Sequence, residues 1–94
     1  MSMSKRYTNV FDALEDNPVV ADNLRIRSEL MIQLRGIIEQ EHLTQEEAAR
    51  RLGVTQPRIS DLVRGKIERF TIDMLVNMLT RVGLYVEITL RKAA

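Results

Sequence analysis

The chain has no cysteine and no tryptophan, a single histidine, two prolines and four glycines in 94 residues. Without cysteine it has neither disulfides nor thiolate metal sites. That composition is compatible with a reducing cytoplasm, where the protein is expected to reside. His42 stands without a cysteine or a paired acid motif beside it, so no metal site is expected. No apolar run approaches the roughly 18 residues that a membrane helix requires. The start, MSMSKRYTNV, lacks the apolar stretch of a signal peptide. There is no nucleophile–base pair and no phosphate-cradling glycine loop, which argues against an enzyme and against a cofactor. The crowded acids Glu39, Glu41, Glu46 and Glu47 read as a solvated face and a helix cap.

What is present is ordinary in amount and unusual in placement. Apolar residues make up 45% of the chain and charged residues 29%, the balance of a soluble globular protein. The length suits one domain with a modest core. The net charge of +1 conceals a separation. Residues 1–49 carry five basic and nine acidic side chains, a net of −4; residues 50–94 carry nine basic and four acidic, a net of +5. Segregation of this kind is consistent with a side that faces a polyanion.

Residues 1–17 read as a polar tail with one short helix, with Phe11 and Leu14 on one side of the segment Val10 to Asp16. Asn17-Pro18 ends that segment and starts the next, because Asn caps a helix and Pro suits its first position. A long helix is predicted from Pro18 to about Glu41, with Leu30, Leu34, Ile37 and Ile38 on one stripe. Gly36 within it is read as allowing close packing. Thr44 caps a second helix to Leu52, with Glu47 completing a capping box, and Gly53 ends it. Thr55 caps a third, Gln56 to Arg64, with Pro57 harmless in its first turn. "KIERF" is read as a loop. Thr71 caps a fourth helix to about Val82, with Leu75, Met78, Leu79 and Val82 as its main stripe.

The period then changes from 3.6 to 2. In LYVEITLRK, Val86, Ile88 and Leu90 alternate with Tyr85, Glu87, Thr89 and Arg91, which predicts a half-buried strand, strand and tail together making up residues 85–94. A lone strand leaves its backbone groups unpaired, so it is expected to pair with the same strand of a second copy, or with a partner protein.

Residues 45–64 have the spacing of a helix–turn–helix: about eight residues, a turn holding glycine, and about nine residues. Ile59, Leu62 and Val63 share one side of the second helix and are expected to anchor it. Pro57, Arg58, Ser60, Asp61 and Arg64 lie away from that side and Gln56 at its border, and these six are the candidates for base edges: glutamine pairs with adenine, arginine with guanine, and aspartate accepts from cytosine. Asp61 has a second reading, the orienting of a neighbouring arginine. Gln45, at a helix N-terminus, and Arg50, Arg51, Thr55, Lys66 and Arg69 are the candidates for phosphate contact.

The stretch LTQEEAARRLGVTQPRISDLVRGK, through "LTQEEAA", "LGVTQ", "IS" and "GK", resembles the Cro/cI-type (XRE) helix–turn–helix family over about residues 30–84. The long preceding helix and the following strand look like the small HigA-type antitoxins and related stand-alone regulators. The resemblance implies that Gln45 touches phosphate and that Gln56, Pro57 and Asp61 face the major groove. Pro57 departs from the polar residue often found there, which shifts weight to Gln56, Arg58 and Ser60.

The expectation is therefore a mostly α, lambda-repressor-like bundle of about five helices over residues 18–84 and the tail before it. One C-terminal strand follows, pairing across a homodimer. Its function is expected to be binding of a palindromic double-stranded DNA operator as a transcriptional regulator, with a cognate toxin as a further partner if the chain is an antitoxin. A protein-interaction or scaffolding module of the same fold is the alternative.

Overall fold

The computed structural model describes residues 17–92. The short helix expected within residues 10–16 lies outside them. Four α-helices are present among the described residues: α1 (Pro18–Gln40), α2 (Gln45–Leu52), α3 (Gln56–Val63) and α4 (Ile72–Arg81). A single 3₁₀ turn, Ile67–Arg69, joins α3 to α4.

Each helix begins where a side chain satisfies the free N–H groups of its first turn. Asn17 Oδ1 accepts from the backbone of Val19 at 3.0 Å and of Val20 at 3.3 Å. The hydroxyls of Thr44, Thr55 and Thr71 accept from Glu47, Arg58 and Met74 respectively. Glu47 returns the favour to Thr44, accepting its backbone N–H at 2.8 Å. That bond, with the Thr44 hydroxyl behind it, holds the Glu47 carboxyl below the usual range.

Helix α1 is the spine. Leu24, Met31, Leu34 and Ile38 form its buried face, while Leu30 and Ile37 flank the core half-buried. Its core face packs against α4 and touches α3 and the 3₁₀ turn, and α2 and α3 pack on each other. Leu34, Ala48, Leu52, Ile59, Leu62 and Leu75 are all but inaccessible to solvent, and each large one contributes about 1.5–3 kcal/mol through burial. Phe70 is also buried, at 2% exposure. On α4, Leu75, Met78 and Leu79 are buried, and Met74 and Val82 pack against the same core.

Three sequence expectations are corrected. Gly36 is not a close-packing glycine, since a Cβ there would meet nothing within 4 Å. Val63, the last residue of α3, is 39% exposed and does not join Ile59 and Leu62 in the core, since no neighbouring element covers it. "KIERF" is more ordered than a loop and contains the 3₁₀ turn.

Residues 84–92 have neither helix nor, among the described residues, any strand ladder. A ladder requires a second strand, and the described residues supply none. Ile88 is 80% and Leu90 89% exposed, and Leu84, Tyr85 and Val86 are open to solvent as well. No described helix is long and apolar enough to cross a membrane.

Candidate nucleic-acid interface

The α2–α3 unit depends on a sharp reversal. Gly53 takes φ 74, and its N–H donates to the Ala49 carbonyl at 2.9 Å. The left-handed conformation favours glycine, and a second constraint coincides with it. A Cβ at residue 53 would lie 2.7 Å from Cζ and Nε of Arg81, which crosses the turn from the end of α4. Ala48, with no exposed surface, and the half-buried Ala49 leave α3 room to approach α2. Ile59 and Leu62, both at 0% exposure, fix which flank of α3 turns inward.

The outward flank is graded. Gln56, Pro57 and Arg64 are exposed, whereas Arg58, Ser60 and Asp61 are half-buried. Thr55 is exposed, and its hydroxyl oxygen is engaged by the Arg58 backbone N–H. Two guanidiniums converge on Asp61, whose side chain is 14% exposed. Arg69 Nη1 donates to its Oδ1 at 3.3 Å, and Arg58 Nη1 lies 3.8 Å from its Oδ2. Arg58 also donates to the Arg69 carbonyl at 3.0 Å, with its guanidinium 5.6 Å from the centre of the Phe70 ring.

The other phosphate candidates lie on α2 and in the loop after α3. Gln45 is exposed at the start of α2. Arg50 lies 3.6 Å from Glu46, and Arg51 donates to Glu41 at 2.9 Å. Both are exposed pairs, of the kind that contributes at most about 1 kcal/mol and is readily exchanged for another anion. Lys66 is half-buried beyond the end of α3, and Arg69 is exposed.

Sequence reasoning missed three participants: Phe70, which lies under Arg58; Arg81, which crosses the turn; and Arg27. The last reaches from α1 to donate to the carbonyls of Ile67 at 3.2 Å and Phe70 at 3.4 Å. The spacing of Arg58 and Asp61 was a usable signal for their pairing. The other contacts cross between elements and leave no periodic trace.

Two short helices joined across a left-handed glycine, the second seated on a long first helix with a polar flank outward, define a helix–turn–helix protein of XRE-like fold. The chain belongs to the helix-turn-helix domain family, which it matches over residues 13–91. It is similar to a solved structure whose name assigns it to the XRE family of transcriptional regulators. The two share 34% identity over 78% of this chain and 82% of the other, with a TM-score of 0.71. No curated protein matches.

Proposed function

We propose that the protein is a transcriptional regulator that binds duplex DNA by laying α3 in the major groove. The observation that carries this reading is the division of α3 into two flanks. Ile59 and Leu62 are completely buried, while Gln56, Pro57 and Arg64 face solvent with Ser60 beside them. Gln56, Ser60 and Arg64 are assigned to base edges. Gln45, Thr55, Arg50, Arg51, Lys66 and Arg69 are assigned to phosphates, Arg50 and Arg51 exchanging their surface carboxylates for the DNA backbone. Asp61, held between Arg58 and Arg69, orients those two cations.

The finer reading is a homodimeric repressor located in the cytoplasm. One recognition helix covers only a few base pairs, and a two-fold pair would present two helices about 34 Å apart to a palindrome. The apolar, exposed residues Val86, Ile88 and Leu90 are assigned to an antiparallel strand pair across that axis. The resemblance to HigA-type antitoxins supports a role as the antitoxin of a toxin–antitoxin pair. Selection of bound fragments from random duplex DNA tests the reading. The expected result is an inverted repeat whose half-sites are one helical turn apart; recovery of no enriched sequence would contradict it.

A further inference from the structure

We infer that Arg58, although it lies on the recognition helix, acts as a positioning residue that sets the loop Lys66–Arg69 against the DNA backbone and does not read a base. The inference rests on the DNA-binding proposal above and refines the site that it describes.

The argument starts from the carbonyls of the loop. The chain leaves α3 through Gly65 and forms one 3₁₀ turn, Ile67–Arg69, before Phe70 enters the core. The carbonyls at the end of such a turn have no partner within it. Here they are met from two sides by guanidiniums. From α1, Arg27 donates to the carbonyl of Phe70 and adds a second donor to that of Ile67, which already accepts from the Phe70 N–H within the turn. Arg27 is itself steadied by Asn23, whose Oδ1 accepts from Nε at 2.7 Å. From α3, Arg58 donates to the carbonyl of Arg69 at 3.0 Å. The loop is thus gripped between the spine helix and the recognition helix, and the residues inside the grip include Lys66 and Arg69, two of the cations assigned to phosphates.

The same contacts restrict what else Arg58 can do. A bidentate reading of guanine needs two outward-pointing N–H groups of the guanidinium fork. One terminal nitrogen of Arg58 is taken by the Arg69 carbonyl and lies 3.8 Å from Asp61. The guanidinium stands over the Phe70 ring at cation–π distance, and only 35% of the side chain is exposed. To present Nη1 to a base edge, Arg58 would have to abandon the Arg69 carbonyl and leave Asp61, and turning the whole fork outward would also lift it from the Phe70 ring. Left in place, it transmits the position of α3 to the loop, so that major-groove docking and backbone contact are set by one rigid piece.

The test is a double-mutant cycle on DNA binding with the full chain. Affinity is measured against the selected duplex, its single-base variants and a scrambled duplex, across a salt series. In wild type, Arg58→Ala is expected to weaken binding about tenfold to all duplexes alike, with the profile of base preferences unchanged. It should also lower the log–log salt slope by about 2, as Lys66 and Arg69 both lose their phosphates. In a Lys66→Ala/Arg69→Ala background, where the Arg69 carbonyl remains, Arg58→Ala should cost nothing further. Arg58→Met keeps the apolar stem over Phe70 and gives the same readings should the alanine variant not fold. Relaxed preference at one base pair, or a cost that persists in the double-variant background, overturns the inference. Wild-type protein that binds no duplex at any salt overturns the DNA-binding proposal itself, and this inference with it.

Discussion

Thr44 and Glu47 hold one another at the start of α2 through two hydrogen bonds, 3.1 and 2.8 Å long. Thr44→Ala should therefore cost about 1 kcal/mol of unfolding free energy, read by chemical denaturation. The Glu47 side of the pair is pH-dependent with a definite sign. The Glu47 carboxyl is lowered, first by the Thr44 backbone N–H and then by the Thr44 hydroxyl. Its contribution is full above the ordinary value of 4.5 and is lost as pH falls through the lowered folded value. Thr44→Ala keeps the backbone N–H, so the comparison that tests this is Glu47→Gln: the difference in stability between it and wild type should shrink on acidification over that window, and a constant difference would show that the Glu47 carboxylate does not titrate with the cap. The glycines separate by the same kind of reasoning. Gly36→Ala should stabilise by about 0.5–1 kcal/mol, since the site is helical, exposed and empty around the added methyl. Gly53→Ala should destabilise by more than that, because it meets both a positive φ and the Arg81 guanidinium. Thermal melts of the two variants moving in the same direction would contradict this. Caps and the terminal glycine of α2 were legible from residue type alone. The freedom around Gly36 was not, because nothing in a sequence tells a glycine that permits an approach from one that faces solvent.

At the scale of elements, each helix began at the residue its cap indicated, because capping chemistry is local. The short 3₁₀ turn escaped, since three residues carry no period, and with it escaped the loop that Arg27 and Arg58 hold. Phe70 follows from the same cause: an aromatic after a charged run looks like loop until the core behind it is known. Val63 was assigned to the anchor on angle alone, but burial also depends on whether a neighbour extends far enough to cover it. The anchor that remains is testable. Leu62→Ala, at a site with no exposure, should cost about 2–5 kcal/mol and weaken DNA binding only as far as it depopulates the folded state; unchanged stability would contradict the assignment. The C-terminal segment is the element where period and structure part company. Alternation of Val86, Ile88 and Leu90 describes an exposed apolar row, and the proposed reading assigns its coverage to a second chain. Truncation after Gly83 should convert a dimer to a monomer in sedimentation; an unchanged mass would remove the strand pairing.

For the whole molecule, the small net charge is the sum of an acidic first half and a basic second half, and four of the second half's basic residues, Arg58, Arg64, Lys66 and Arg69, lie on α3 or in the loop that follows it. This arrangement, with an inward face fixed by Ile59 and Leu62 and a polar flank left outward, is the central claim. It is tested most directly by titrating full-length protein against the selected duplex and a scrambled duplex of equal length across a salt series. The account predicts that affinity for both falls steeply and linearly on a log–log plot, with the selected duplex bound about 10³-fold or more tightly at physiological salt. Equal affinity for the two duplexes, or no binding at low salt, would contradict it.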